Sequence, residues 1–206
     1  SSILRVYRNL QSLLDYSERD TLTGLLNRKT FDDSFLRMTS QEPAVSGRPA
    51  GAPMRGGAAA WLGVVDIDHF KLVNDRHGHL IGDEVLLLLG RLMRSSFRYQ
   101  DQLYRFGGEE FVVLLRADEA GQALAAYERL RRNVAAYVFP RVGHVSVSIG
   151  FTEVRIGDSP AGAFERADKA VYHAKDNGRD QVVHYGDLLT DGVLAEEAHL
   201  GDVELF

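Results

Sequence analysis

Residues Arg105 to Phe111 read Arg-Phe-Gly-Gly-Glu-Glu-Phe and lie between two strand-like runs, Gln102 to Phe106 and Phe111 to Leu115. A Gly-Gly pair between such runs predicts a β-hairpin, because a tight turn needs positive φ at its centre. The turn also carries two adjacent carboxylates, which a hairpin does not need in order to fold. Glycines let a phosphate approach closely, and a neighbouring Glu is a candidate metal ligand. From the hairpin alone, a ligand site and a solvated acidic turn are equally good interpretations.

The composition is that of one ordinary globular domain. The chain has 206 residues, of which 45% are hydrophobic and 26% charged, so it can bury a substantial core. A net charge of −5 argues against nucleic acid as a partner, since duplex binding requires clustered Lys and Arg. The sequence has no cysteine, which excludes disulfides and thiolate metal sites and fits a reducing compartment. No apolar run reaches the roughly 20 residues that span a bilayer, so we expect a cytoplasmic domain.

Both ends of the chain and one internal segment differ from the rest. Residues 1–18 have apolar residues at coiled-coil spacing, which predicts either a parallel helix pair or a lone amphipathic helix. Because the first residue is Ser rather than Met, we expect an upstream sensor region in a longer protein that could be membrane-anchored. Residues 39–59 are rich in Pro, Gly and Ala and predict a flexible insertion, and residues 187–206 form an acidic tail. The remaining residues, 19–186, are predicted to form the functional domain.

Hydrophobic periodicity predicts alternating helices and strands within this domain. The predicted strands are 61–67, 102–106, 111–115, 144–154 and 181–184, and the predicted helices are 31–38, 83–97, 119–137 and 160–176. We expect Thr30 to cap the first helix, Ser159-Pro160 to open the last and Gly178 to close it. On the helix 119–137, the residues predicted to face inward are Leu124, Tyr127, Leu130 and Val134. Hairpins combined with crossover helices predict an α+β fold with helices packed on a sheet.

Acidic residues also end the buried strand, at Asp66 and Asp68. Burying a carboxylate there is costly unless it faces water or a cation. Carboxylates combined with Lys and Arg are typical of Mg²⁺ and a nucleoside triphosphate, because the hard cation takes oxygen ligands and the basic side chains neutralise phosphates. His77 and His79 also suggest a metal site, but no third ligand is near, so we favour local hydrogen bonds at a turn. The basic candidates are Lys71, Arg105, Lys175 and Arg179.

Five segments together resemble the GGDEF-domain diguanylate cyclases, and the resemblance covers residues 17–184. They are DTLTGLLNR at 20–28, DIDHFKLVNDRHGHLIGD at 66–83, RFGGEEF at 105–111, VSVSIG at 145–150 and RADKAVYHAKDNGR at 166–179. Five matches in the right order are far more specific than one. The resemblance implies a palm-like, mainly antiparallel α+β fold of the nucleotidyl cyclase kind, with 19–186 as the catalytic domain. It also implies a role in bacterial signalling, in which the domain condenses two molecules of GTP into cyclic di-GMP and releases pyrophosphate. The reaction would take place within a homodimer.

The resemblance also implies roles for individual residues. Asp66, Glu109 and the Ile67 carbonyl would bind Mg²⁺, or Mn²⁺ in its place, and two such ions about 3.5–4 Å apart would polarise the α-phosphate. Glu110 would assist metal binding or remove a proton, and both alternatives stay open. Arg105 would stabilise charge on the phosphoryl group. The residues implied in binding GTP are His69, Phe70, Lys71, Lys175 and Arg179 at the phosphates, Asn74, Asp83, Leu25 and Leu26 at the guanine, and Gly107 and Gly108 at the turn.

A second site is implied by the segment Arg98-Tyr99-Gln100-Asp101, which matches the RxxD product-inhibition motif of the family. Arg129, on the next predicted helix, matches an arginine that completes this site in some members. An RxxD segment by itself equally describes an ordinary salt bridge at a helix end. The motif is specific here because of its position before Arg105.

The sequence departs from the family pattern in three places. These are the insertion at 39–59, the acidic tail and Asp180, which stands where Asn is common after Arg179. None of them removes a catalytic position, so we predict an active diguanylate cyclase. The alternatives are a non-catalytic receptor that binds GTP or cyclic di-GMP, and a nucleotidyl cyclase that uses another base.

Overall fold

A computed structural model describes residues 18–40, 59–155 and 157–194, and the side chains of residues 38–40 are not among those described. The strands are β1 (Leu26–Asn27), β2 (Ala59–Ile67), β3 (Gln102–Gly107), β4 (Glu110–Ala117), β5 (Val138–Phe139), β6 (Gly143–His144), β7 (Val147–Glu153) and β8 (Val182–His184). The helices are α1 (Arg28–Ser40), α2 (Phe70–His77), α3 (His79–Ser96), α4 (Ala120–Ala136), α5 (Pro160–Asp176) and α6 (Tyr185–Thr190).

A six-stranded sheet in the order β1-β3-β4-β2-β7-β8 organises the described residues. The three central pairings, β3–β4, β4–β2 and β2–β7, are antiparallel, whereas the outer pairings β1–β3 and β7–β8 are parallel. A separate two-stranded ribbon is formed by β5 and β6. The predicted α+β fold with a mainly antiparallel sheet is therefore confirmed.

The central strands alternate their side chains between two helical layers. On one face, Leu62 and Val64 of β2 pack in a cluster with residues of α1 and α5, such as Phe35 and Val171. On the other face, Trp61, Val65 and Ile67 pack with residues that α2, α3 and α4 contribute. Burial of both faces explains why β2 reads as an almost continuous apolar run.

Gly150 brings α5 unusually close to the sheet. A Cβ atom added to Gly150 of β7 would overlap the backbone of α5 at Ala167 and Val171. No other residue leaves space for this approach. The glycine therefore fixes the height of α5 above β2 and β7, and with it the position of every side chain that α5 extends over the ends of those strands.

Several local predictions need correction. Helix α1 begins at Arg28, and the Thr30 backbone N–H donates to Asn27 Oδ1 (3.1 Å), so Asn27 rather than Thr30 caps it. Helix α3 begins at His79, which places Asp83 inside the helix. Leu124 is 37% exposed, because the buried stripe of α4 passes through Ala123 instead.

The predicted helix at 1–18 lies outside the described residues except for residue 18, and most of the predicted insertion, 41–58, also lies outside them. At the carboxyl end, the first residues of the predicted acidic tail belong to helix α6, where Leu188 is buried. The Ser159 side chain caps α5 by accepting from the Gly162 N–H (3.1 Å), as predicted.

Candidate active site

The centre of the candidate site is a pair of carboxylates on neighbouring strands. Asp66 of β2 lies directly opposite Glu110 of β4 in the antiparallel register. Both continue the alternation that points Val64 and Val112 toward α1 and α5, so both carboxylates lie on the same face of the sheet. Directly opposed side chains have Cβ atoms about 5 Å apart, and like charges at that distance destabilise a sheet.

Lys175 partly offsets this negative charge. It extends from the last turn of α5, and its Nζ lies 2.7 Å from Asp66 Oδ1. The contact is a close ion pair rather than an aligned hydrogen bond, because Asp66 Oδ1 is buried and meets no hydrogen-bond donor in suitable geometry among the described residues. Asp66 is only 7% exposed. It is therefore a buried carboxylate paired with the Lys175 ammonium.

Burial and mutual repulsion raise the pKa of Asp66, Glu109 and Glu110. Burial raises the pKa of Asp66 despite the opposing effect of Lys175, and the charges of Asp68 and Asp168 add to the rise. Burial also raises the pKa of Glu109, followed by the charge of Asp66. The pKa of Glu110 is raised by burial and then by Asp168 and Asp66. A cluster that resists ionisation in this way would be stabilised by a cation.

The donor set fits an oxygen-seeking cation only in part. No group of three or more His, Asp or Glu side chains in the described ranges is arranged to hold a metal ion. The carboxylates of Asp66 and Glu109 would therefore need further oxygen ligands, and the Ile67 carbonyl, predicted for this role, follows Asp66 on the same strand. His77 and His79 are both exposed, and the interpretation that they form local hydrogen bonds stays a prediction.

The glycine pair forms the predicted hairpin turn between β3 and β4. Gly107 pairs with Glu110, and the φ angles of Gly107 and Gly108 are 142° and 52°. A Cβ added to either glycine would meet no atom within 4 Å, so the turn faces open space. The turn therefore leaves room for a ligand beside Glu109 and Glu110.

Arg105 is held by contacts that the sequence analysis did not anticipate. Its Nη1 donates to both carboxylate oxygens of Asp20 (3.1 Å each), and its Nη2 donates to the Gly108 carbonyl (3.0 Å). Asp20 also accepts from the backbone N–H and hydroxyl of Thr23. Although burial acts to raise the pKa of Asp20, the hydrogen bonds from Thr23 and the charge of Arg105 lower it overall. Arg105 thus ties the hairpin turn to the segment that precedes β1.

The predicted guanine-reading residues are brought together by the contact between α2 and α3. The Asn74 side chain lies against Gly82, where an added Cβ would overlap its Oδ1. Asp83 follows Gly82 and is exposed, so the amide and the carboxylate lie on adjoining turns of the two helices. Lys71 is exposed on the first turn of α2, after His69 in a left-handed conformation and the buried Phe70.

The predicted product-site residues lie on one cavity. Arg98, Asp101 and Arg129 line a cavity of about 200 Å³ between the end of α3 and α4. Asp101 Oδ2 accepts from the Arg98 backbone N–H (2.8 Å), so the turn is closed by the backbone and the Arg98 guanidinium is not required for it. Arg129 Nε donates to the Ser96 carbonyl (2.6 Å). Burial raises the pKa of Asp101, and the two arginines oppose that rise.

Leu25 and Leu26 lie on the wall of another cavity of about 500 Å³, which Arg98 and Asp101 also line. Leu25 is only 2% exposed and packs in the core against α3 near Gly90. Its side chain is therefore occupied by core packing, and contact of these two leucines with a guanine base stays a prediction.

Two further acidic residues, Asp68 and Asp168, act on Asp66 through their charges. Asp68 is 5% exposed and accepts from the Ser146 and Ser148 hydroxyls (2.6 and 2.7 Å) and from the Asp180 N–H (3.1 Å). Its oxygens are thus used in joining β2 to β7 and to the end of α5. Asp168 lies seven residues before Lys175 on α5, on the same helix face, and that spacing was the available sequence signal.

Comparisons with known proteins found a matching family, similar sequences and similar structures. The profile of the family described as diguanylate cyclase, GGDEF domain, matches residues 17–181. The chain is 42% identical over 168 residues to the diguanylate cyclase DgcP of Pseudomonas aeruginosa, covering 79% of this chain and 23% of that protein. It is 38% identical over 182 residues to the response regulator PleD of Caulobacter vibrioides, covering 85% of this chain and 37% of that protein. The chain therefore spans well under half the length of these relatives.

A solved structure of the coiled coil and GGDEF domain of DgcB from Caulobacter crescentus, in complex with cyclic di-GMP, has a TM-score of 0.76 and 30% identity, covering 89% of this chain and 93% of that one. The diguanylate cyclase SiaD of Pseudomonas aeruginosa, solved with its activator SiaC, has a TM-score of 0.72 and 36% identity, covering 89% and 68%. Among the described residues, no helix has the length and apolar character needed to cross a bilayer. The family profile, the relatives and the shared fold agree, and the chain belongs to the GGDEF-domain family of diguanylate cyclases.

Proposed function

We propose that this domain condenses two molecules of GTP into cyclic di-GMP with release of pyrophosphate, in a reaction that depends on Mg²⁺ and on two copies of the domain. The observation that carries the proposal is the opposed pair of Asp66 and Glu110, with Glu109 beside it in the glycine turn. Raised carboxylate pKa values and the burial of Asp66 support a role in holding a cation rather than in folding.

Asp66 and Glu109 would hold the cation, together with the carbonyl of Ile67 and phosphate oxygens of the substrate. When bound, Mg²⁺ supplies charge neutralisation at the α-phosphate and favours ionisation of the attacking hydroxyl. Mn²⁺, which prefers similar oxygen ligands, would substitute. Lys175 lies beside Asp66, and its long stem would let it turn to the β- and γ-phosphates of bound GTP.

The remaining substrate contacts follow from the same geometry. Lys71 and the backbone N–H groups of His69 and Phe70 lie at the amino-terminal end of α2, which favours phosphate. Asn74 and Asp83 would read the guanine edge, since Asp83 can accept from its N1–H and amino group. Paired hydrogen bonds of this kind discriminate between bases by about 1–3 kcal/mol in protein–DNA contacts.

In the reaction itself, the 3′-hydroxyl oxygen of each GTP forms a bond to the α-phosphorus of the other. The bond from that phosphorus to the oxygen bridging to the β-phosphate breaks, and pyrophosphate leaves with the electron pair. Glu110 would accept the hydroxyl proton directly or through water, a role that its raised pKa favours. Arg105 would stabilise the charge on the phosphoryl group in transit if it exchanges part of its contact with Asp20. One domain holds one GTP, so two copies must meet.

Cyclic di-GMP would also bind at Arg98, Asp101 and Arg129 and inhibit turnover. Two arginines on a cavity of about 200 Å³ offer charge for phosphate and edges for guanine. The backbone closure of the Arg98–Asp101 turn supports this role, because it leaves the Arg98 guanidinium available.

The deciding experiment is incubation with GTP and Mg²⁺ over a range of protein concentrations, with products resolved by chromatography and identified by mass. We expect cyclic di-GMP and pyrophosphate in a ratio of one to two, at a rate per molecule that rises with protein concentration. ATP in place of GTP is the matched control. Binding of GTP or cyclic di-GMP without any cyclic product would instead establish the receptor alternative, and equal turnover of ATP would establish a cyclase of broader base use.

A further inference from the structure

The loop after α5 presents Arg179 in an unusual backbone conformation. Helix α5 ends at Asp176, Gly178 has φ +109°, and the Arg179 N–H donates to the Ala174 carbonyl (2.9 Å), which closes the helix end. Arg179 and Asp180 then follow with φ angles of +61° and +45°. Two consecutive non-glycine residues in the left-handed region are unfavourable by themselves and persist only where surrounding contacts hold them.

Two contacts of Asp180 hold this loop from outside. Its backbone N–H donates to Asp68 Oδ2 (3.1 Å), which ties the loop to the end of β2. Its carboxylate accepts from Arg131 Nη1 of α4 (2.9 Å). Arg131 is held in turn by Glu128, one turn earlier on the same helix: its Nε donates to Glu128 Oε2 (3.0 Å), and its Nη2 lies 3.0 Å from the same oxygen. The Arg131 side chain is 20% exposed and the Asp180 side chain 43%, so solvent screens part of this ion pair.

We propose that Arg131 and Asp180 are positioning residues, which hold the left-handed loop so that Arg179 is presented to the triphosphate of GTP. This rests on the function proposed above and on the phosphate contact that the family resemblance implies for Arg179. The Arg131–Asp180 ion pair also accounts for the departure from Asn at position 180: a carboxylate gains a charge-assisted contact with a guanidinium that an amide would form more weakly.

The Arg131–Asp180 ion pair and the hydrogen bond from the Asp180 N–H to Asp68 hold the loop in different ways. Asp68 holds the main chain of the loop whatever side chain stands at position 180, because it accepts a hydrogen bond from the backbone N–H of that residue. Arg131, by contrast, acts only through the Asp180 carboxylate. Removing the ion pair should therefore loosen the presentation of Arg179 without unfolding the loop, and it should weaken phosphate binding more than the chemical step.

The test compares Arg131→Ala and Asp180→Ala with the control Arg132→Ala in the 206-residue chain. Arg132 neighbours Arg131 and also contacts Glu128, but it is 67% exposed and does not reach Asp180. An ion pair of this exposure contributes a factor of about 2 to 5 to binding. We expect the KM for GTP to rise by that factor in both variants with kcat nearly unchanged, and no change in the control. Asp180→Asn should give a smaller rise in KM.

Variants made in an Arg179→Ala protein show whether the effect of Arg131 on the KM for GTP depends on Arg179. In an Arg179→Ala protein, adding Arg131→Ala should raise the KM no further, because the side chain being positioned is absent. An equal further rise in that background, or a rise in KM with Arg132→Ala, would overturn the proposal. Guanosine 5′-[α,β-methylene]triphosphate cannot be condensed, so its binding, measured by calorimetry, tests the positioning role separately from the proposed reaction. If the chain makes no cyclic product yet shows this pattern of affinities, the proposed reaction fails and the positioning role stands.

Discussion

Replacing Glu110 by Gln is expected to make the metal-free protein more stable while making it inactive. Glu110 opposes Asp66 across β4 and β2 on one face of the sheet, and burial with neighbouring negative charge raises its pKa. A raised carboxyl pKa means that ionisation is less favourable in the folded chain than in the unfolded chain. This destabilisation is absent below the unfolded pKa and is fully present at neutral pH. Gln keeps the shape of the side chain and removes the charge.

The expected gain in stability of Glu110→Gln follows from the geometry of the opposed pair. Like charges directly opposed in a sheet destabilise by up to about 1 kcal/mol relative to neutral pairs. Glu110 is partly exposed, and Arg28 and Lys175 offset part of the repulsion, so solvent screening reduces the expected gain to about 0.5 kcal/mol. For a chain of this length, that corresponds to a rise in Tm of about 1–2 °C. Loss of a proton acceptor or metal ligand should lower kcat by about 10²- to 10⁴-fold.

Scanning calorimetry in the presence of a chelator measures the Tm, and product formation from GTP measures the activity. Glu119→Gln is the matched control, because Glu119 is exposed, lies beyond the opposite end of β4 and makes no side-chain capping bond. The control should not raise the Tm. A lower Tm for Glu110→Gln than for the parent chain would refute the reasoning, since it would mean that the Glu110 charge stabilises the fold.

The remaining predictions concern the cation, the phosphates, the second site and the packing of α5. Mg²⁺ should raise the Tm at about pH 7.5 and much less at about pH 5. Carboxylates with raised pKa values take up protons sooner as the pH falls, and a protonated carboxyl binds the cation less well. Thermal scans at both pH values test this. Lys175→Ala should raise the KM for GTP about 10-fold by loss of a phosphate contact, as steady-state kinetics would show. Arg98→Ala should relieve product inhibition with turnover preserved, and unchanged inhibition in a product titration would remove the second-site proposal. Gly150→Ala should destabilise the fold by about 1–3 kcal/mol through overlap with α5, measured by urea unfolding.

Local sequence signals predicted those parts of the fold that depend on neighbouring residues. The hairpin at Gly107-Gly108 could be predicted because the turn chemistry and the flanking strands are contiguous. The buried strand before Asp66 could be predicted from its apolar run. Element ends were less predictable, because caps are decided by single side chains. Asn27 rather than Thr30 caps α1. Gly78, with a positive φ angle, precedes α3, which begins at His79, four residues before Asp83.

Contacts between distant segments could not be predicted in this way. Asp20 and Arg105 are 85 residues apart, and nothing at either position indicates that they pair. Asp68 looks like Asp66 in the sequence, yet its oxygens are taken by Ser146, Ser148 and the Asp180 N–H. Which of two neighbouring acidic residues is bound by hydroxyl and backbone donors depends on the strand register and on the loop after α5, and both are properties of the assembled fold.

The edges of the sheet bear on how two copies can associate. Strand β1 has two residues and β8 has three, and each is followed at once by a helix. Edges this short expose few free backbone N–H and C=O groups, so they give little template for adding a strand from another molecule. If two copies join their nucleotides as proposed, they would then meet through side chains, and substitutions there could change the association without altering the hydrogen bonds between the strands. Amide exchange at both edges should accordingly be unaltered when the copies associate.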